Sequence, residues 1–106
     1  MIHISYDADD LRVKIDGHAY SGEPGNDLVC SAVTILTHTL VRNCELADKG
    51  GVIHEFHHVL KDGGADITVV PDEGYQALVA NLFDSFCVGY EMLYERFPEY
   101  IKFEAK

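Results

Sequence analysis

The sequence predicts an α+β fold of two layers, a mostly antiparallel sheet of about five strands with two helices packed on it. Three observations carry that expectation. Short stretches of alternating apolar and polar residues lie near both ends of the chain, and two further extended stretches flank a Lys61-Asp62-Gly63-Gly64 turn signal. Two longer stretches instead repeat their apolar residues at helical spacing. The chain has 106 residues, of which 47% are apolar, and shows no linker, repeat or low-complexity segment. Residues 1–106 are therefore expected to form one domain around one modest core.

The elements follow in order. Ile2, Ile4 and Tyr6 alternate with polar residues over residues 2–6, and Leu11, Val13 and Ile15 do so over residues 11–15. Asp7-Ala8-Asp9-Asp10 between them has turn composition, which predicts a hairpin. Over residues 17–26 the periodicity stops, and Ser21, Gly22, Glu23, Pro24 and Gly25 have the composition of a loop with little to bury. Asp27 then suits an N-cap, because its carboxylate can accept from the free amides of a first turn. Val29, Ala32, Val33, Leu36 and Leu40 recur at helical spacing after it, predicting a helix that ends near Arg42 and Asn43. Gly50 and Gly51 open the next segment, and the turn at residues 61–64 joins predicted strands over residues 52–60 and 65–70. Beyond Pro71, the positions Tyr75, Leu78, Leu82, Phe86, Gly89, Leu93 and Phe97 share a helical face, predicting a long helix from about Glu73 that Pro98 stops. Ile101, Phe103 and Ala105 alternate with Tyr100, Lys102 and Glu104, as in a last short strand.

Composition narrows the function classes. The formal net charge is -10, with 18 acidic residues against 8 Lys and Arg, and this field repels nucleic acid. No basic patch offsets it, so no direct nucleic-acid partner is expected. Such a surface suits a basic protein partner, although an ordinary soluble acidic protein has the same composition. The opening MIHISYDADD lacks the basic start and apolar run of a signal peptide, and no apolar stretch approaches the roughly 18 residues of a membrane span. The expectation is a soluble cytoplasmic protein without membrane contact. Cys30, Cys44 and Cys87 are odd in number and contain no C-x-x-C pair, which argues against a disulfide scaffold or a zinc ribbon.

His54-Glu55-Phe56-His57-His58 matches H-E-x-x-H, a pattern that binds zinc when a helix brings the two outer histidines one turn apart. Its setting is extended instead: Val52, Ile53 and Val59 favour a strand, and glycines stand close on both sides. On a regular strand His54, Phe56 and His58 share one face and Glu55 and His57 the other. His54 and His58 are then ~13 Å apart, too far to hold one zinc. Neither a metal nor another cofactor is expected.

The stretch GHAYSGEPGNDLVCSAV, residues 17–33, contains the main chemical candidates. Cys30 falls in the first turn of the predicted helix, where unpaired amides and the macrodipole favour a thiolate. It lies off the best apolar stripe, on a flank with Thr34, Thr37 and His38. His18 stands at the end of a strand, and an imidazole folded back onto the thiol can stabilise the thiolate and later protonate a leaving amine. Amides of Cys30 and Ser31 are candidate donors to an oxyanion. A buried structural thiol that merely follows a loop is the competing reading, since free cysteine is among the most buried residue types.

One further feature separates these readings. Gly17-His18-Ala19, a Gly-containing loop, and then Gly25-x-Asp27-x-Val29-Cys30-x-Ala32-Val33-Thr34 resemble the signature of the ribosomal-processing cysteine proteases, the Prp family. The chain length and the order strand, strand, helix, hairpin, helix are similar to that family across nearly the whole chain. The resemblance implies a cytoplasmic, homodimeric cysteine endopeptidase occupying residues 1–106. Its substrate would be large-subunit ribosomal protein twenty-seven, from which it would remove a short N-terminal extension by cutting after an aromatic residue. The family's dyad falls on His18 and Cys30. Its loop falls on residues 19–26, making Ala19, Gly22 and Gly25 substrate-loop candidates, with Asp27 and Ser31 supporting the oxyanion region. Asp27 suits helix capping better than a direct catalytic part. Ser31 and Thr34 stand where the family usually has alanine and serine, and Pro24 restricts the loop. The rival class is a non-catalytic ribosome-assembly binding module of the same fold. Cys87, inside the long helix, reads as core, whereas Cys44 is compatible with either exposure.

Overall fold

The predicted hairpins and helices recur in the computed structural model, which describes residues 1–18 and 27–106. The elements are β1 (Ile2–Asp7), β2 (Arg12–Asp16), α1 (Leu28–Lys49), β3 (Ile53–Lys61), β4 (Gly64–Pro71), α2 (Gln76–Arg96) and β5 (Ile101–Ala105). They form a five-stranded sheet in the order β3-β4-β2-β1-β5. All neighbouring strands are antiparallel except β5, which runs parallel to β1. The fold is therefore α+β with a mixed, mostly antiparallel sheet.

Register explains why one face of this sheet is apolar. Ile4 pairs with Ile15, and Ile15 with Ala65; Tyr6 pairs with Val13, and Val13 with Ile67. Because side chains alternate across a strand, each of these rows lies on the same side of the sheet. The opposite rows are polar: Ser5 pairs with Lys14, and Lys14 with Asp66. There Arg12 Nε donates to Asp66 Oδ1 at 2.9 Å, a pair exposed enough that it adds little to stability. The β1–β2 turn is closed by Asp7, whose Oδ1 accepts from the amides of Asp9 and Asp10 at 3.0 and 3.2 Å.

Both helices pack on the apolar face. Val29, Val33, Leu40, Val41 and Cys44 of α1 are buried there, as are Val79, Phe83, Cys87 and Tyr90 of α2. The first helix runs past the predicted end at Arg42 and Asn43 to Lys49, because Val41 and Cys44 continue its buried stripe until Gly50 caps it. The second begins at Gln76 rather than Glu73. Tyr75 donates its amide to the Asp72 carbonyl in a turn, and the helical bonding starts with Val79 N–H to the Tyr75 carbonyl. Its innermost stripe is also rotated from the predicted one. Leu82, Phe86 and Leu93 are only partly buried beside the stripe led by Val79 and Phe83, and Leu78 is exposed. Gly89 meets Leu36 of α1, so the predicted stripe follows the helix–helix side while the true one meets the sheet.

A bulge changes the faces of the histidine segment. His54 pairs with Val70 and His57 with Thr68, so three residues of β3 span what two of β4 span, and Glu55 takes a φ of 49°. His54 and His57 consequently share the outer face. His58, which pairs with Ile67, lies on the helix side and stacks with Phe56 at a ring separation of 4.7 Å. The predicted common face of His54 and His58 is thereby lost, and with it any zinc site built on that pair. His54 Nδ1 instead bonds Asp72 Oδ1.

Among the described residues, Thr37 and Tyr90 form a buried polar contact under the helices. Thr37 Oγ1 donates to the Val33 carbonyl at 2.7 Å, so its only proton is used and it accepts from Tyr90 O–H at 2.8 Å. Burial pushes the Tyr90 phenol up to about 12. Thr37→Val leaves the Tyr90 hydroxyl buried without an acceptor and is expected to cost about 1–3 kcal/mol, whereas Tyr90→Phe removes the unsatisfied proton as well and costs about 1. Urea denaturation of the two variants measures the difference.

Candidate active site

The site is built where three chain segments meet at one end of the sheet. Gly17 leaves β2 at a φ of 104°, and a side chain there would place its Cβ 2.2 Å from the Met1 carbonyl oxygen, so only glycine makes this exit. Its amide donates to the Gly63 carbonyl at 2.9 Å, which ties the end of β2 to the β3–β4 turn. The next residue, His18, enters a cleft of about 460 Å³.

Cys30 reaches the same cleft from α1. Asp27 is the N-cap of that helix, and its Oδ1 accepts from the Cys30 amide at 3.0 Å. The Asp27 carbonyl accepts both the Ser31 amide at 3.0 Å and the Ser31 hydroxyl at 2.9 Å. The side-chain cap therefore engages the Cys30 amide and the first helical bond engages the Ser31 amide, the two that the sequence suggested as oxyanion donors. Ser31 itself is exposed on the helix start, beside a second hollow of about 380 Å³. Cys30, Thr34 and His38, one helical turn apart in succession, line both hollows and form a ridge between them. The predicted flank of Cys30 is correct for Thr34 and His38, which are exposed; Thr37 lies deeper, buried on the floor of the larger cleft.

Beside Thr37 the cleft is lined by the apolar Ile2, Ile15 and Val33, and the turn containing Asp62 and Gly63 forms another part of its wall. That turn gave no chemical signal in the sequence, where it reads only as a hairpin connection. Asp16 is close to His18 along the chain but lines a polar hollow on the opposite, open face with His3, Lys14 and Lys102. Ala19, Gly22 and Gly25, the predicted substrate-loop residues, lie outside the described residues.

The other thiols are set apart by burial. Cys44 and Cys87 are both pushed up to about 12, burial being the larger cause and Glu45 and Asp84 adding to it respectively. Cys30 alone of the three is only partly buried. Among the described residues no group of three or more His, Cys, Asp or Glu is placed to hold a metal ion. None of the described helices is long and apolar enough to cross a membrane.

A partly accessible thiol in the first turn of a helix, with an imidazole lining the same cleft, has the parts of a cysteine-class hydrolase. Comparison with known families gives the same class in more detail. Residues 1–102 match the Peptidase_Prp model, described as cysteine protease Prp, and the chain belongs to this family of cysteine proteases. Among solved structures, the essential ribosomal processing protease Prp from S. aureus, in complex with a covalently linked product peptide, is similar with a TM-score of 0.79 at 23% identity, with 100% of both chains covered. The same protease with a substrate peptide gives 0.73 at 20% identity, again over 100% of both chains. SMU.848 from Streptococcus mutans is 30% identical with a TM-score of 0.66, covering 98% of this chain and 90% of that one. No curated protein sequence matches this chain closely enough to inform its function.

Two outcomes follow from the thiol environments. Iodoacetamide near neutral pH should alkylate Cys30 in the folded protein, leaving Cys44 and Cys87 until denaturant is added; peptide mapping by mass spectrometry reads the order. The buried thiols also make stability fall in alkali. Unfolded thiols lose their protons near 9.0 and the folded ones near 12, so the fold holds more protons in between and its stability, complete below pH 9, declines as pH rises toward 12. The urea midpoint should follow that decline, with a shallower slope when Cys44 and Cys87 are both replaced by Ala.

Proposed function

We propose that this chain is a cysteine endopeptidase that removes a short N-terminal extension from large-subunit ribosomal protein twenty-seven, with Cys30 as nucleophile and His18 as its acid–base partner. The observation that carries the reading is that Cys30, on the first turn of α1, and His18, on the exit from β2, line one cleft. The S. aureus relatives captured with a substrate peptide and with a covalently linked product peptide support a peptide substrate for the family. The homodimeric state and the cytoplasmic location belong to the same reading.

The mechanism follows from the chemistry of the two groups. His18 takes the Cys30 thiol proton, and the positive end of α1 stabilises the thiolate. The sulfur attacks the scissile carbonyl carbon, and the oxyanion develops in the same helix-end field. On collapse the C–N bond breaks, and His18 passes its proton to the departing amine. Water, giving one proton to His18, then adds to the thioester; C–S cleavage releases the new carboxylic acid, which gives its remaining proton to solvent, while His18 passes the other proton back to the sulfur or keeps it as the partner of the thiolate. Since Asp27 engages the Cys30 and Ser31 amides, the direct oxyanion donors in this scheme are other groups.

The test is incubation with a peptide spanning the extension junction of the source organism's ribosomal protein twenty-seven, followed by mass spectrometry. Cleavage at one bond is expected with the parent and loss of it, by at least about 10³-fold, in Cys30→Ala and His18→Ala. An intact peptide with the parent, repeated on the full-length ribosomal protein, would favour a non-catalytic binding module. The charge of -10 should speed encounter with a basic substrate, so kcat/KM is expected to fall as salt is raised; a flat salt dependence removes steering from the account.

A further inference from the structure

We infer that Gly63, in the β3–β4 turn, is a positioning residue for His18. Its missing side chain leaves the space in which the imidazole rests, and its carbonyl fixes the chain that delivers the imidazole. The inference rests on the His18–Cys30 reading above. Two independent contacts support it. An ideal Cβ on Gly63 would lie 2.7 Å from His18 Nε2 and 3.3 Å from both ring carbons beside it, Cδ2 and Cε1. Real Cβ atoms essentially never approach a heavy atom within 3.0 Å, so any side chain at this position displaces the ring. The equal distances to the two carbons place that methyl over the midline of the ring at its Nε2 end. Separately, the Gly63 carbonyl accepts the Gly17 amide at 2.9 Å, one residue before His18. The turn therefore meets His18 through its ring and through its backbone.

Backbone strain and loss of space must be separated, because Gly63 has a φ of 76° and any ordinary residue is strained there. The protein contains its own controls. Gly51 and Gly74 have φ values of 74° and 90°, and a Cβ at either would meet nothing within 4 Å. Gly51→Ala and Gly74→Ala carry the strain alone, whereas Gly63→Ala carries strain and ring displacement. Gly63→Asn places the same Cβ against the ring while asparagine tolerates positive φ, so it serves if Gly63→Ala fails to fold.

The experiment compares these variants with the parent and with His18→Ala. It reads kcat/KM on the junction peptide, the rate of Cys30 alkylation by iodoacetamide across pH, and the melting temperature. Gly63→Ala and Gly63→Asn are expected to lose up to about 10²-fold in kcat/KM, as for a catalytic group moved by about an ångström, with the alkylation profile shifted toward that of His18→Ala. Gly51→Ala and Gly74→Ala should melt lower but keep the parent's kcat/KM and profile. A Gly63 variant that melts lower yet keeps both overturns the inference and leaves the dyad standing. Equal activity losses at Gly51 and Gly63 also overturn it, since strain alone then accounts for them. Full activity in His18→Ala overturns the dyad itself, and the positioning role with it.

Discussion

The antiparallel pairing of β2 with β4 sets Asp16 opposite Gly64 and so decides where the site forms. Because that pairing runs to the last residue of β2, the chain leaves the sheet alongside the β3–β4 turn, and Gly17 can bond Gly63 across the gap. The same register puts Val13 and Ile15 on the side that α1 and α2 cover. A slip of one residue would turn these side chains to the open face and carry the exit of β2 away from the turn. Core and cleft thus share one register, and the apolar rows that stabilise the sheet also hold the wall of the site.

The start of α1 shows how a local capping device bears on chemistry. The Asp27 side chain and carbonyl take the amides of Cys30 and Ser31, which fixes the backbone that carries the thiol. Loss of such a cap typically costs ~1 kcal/mol of stability, enough to fray a first turn. The arrangement orders the nucleophile but withdraws one donor, the Cys30 amide, that an uncapped helix start would present to an oxyanion; the Ser31 amide is already used in the first helical bond. It also places a carboxylate close to the thiol, in a chain that is already strongly acidic. Among the described residues, the helix-end dipole and the His18 and Lys61 side chains lining the same cleft can offset this charge.

Burial sorts the remaining thiols and the histidine segment away from this chemistry. Cys44 and Cys87 sit in the packing between helices and sheet, where low polarity keeps them protonated. His54, His57 and His58 follow a motif associated with zinc, yet the bulge at Glu55 separates His58 from the other two. A motif of this kind acts only in the backbone conformation that gives its spacing a meaning.

Several features were legible from the sequence because they depend on residues close together along the chain. The two hairpins, the Asp27 cap, the placement of Cys30 in a first turn and the loss of periodicity ahead of it all follow from local patterning. The Prp signature was legible for the same reason, since its glycines, histidine and cysteine lie within residues 17–34. Helix ends and faces were less so. The end of α1 is decided by what Val41 and Cys44 pack against, and the inner face of α2 by the competition between α1 and the sheet for its two adjacent apolar stripes. The bulge in β3 was hidden because it is a mismatch between two strands. Above all, Gly63 and His18 are 45 positions apart in the chain, and nothing local to either predicts that they touch. Local patterning was enough to set the chemical groups and the elements that carry them; which of those groups meet was left to the fold, because long-range contact is set by sheet register and by the packing of helices on one apolar face.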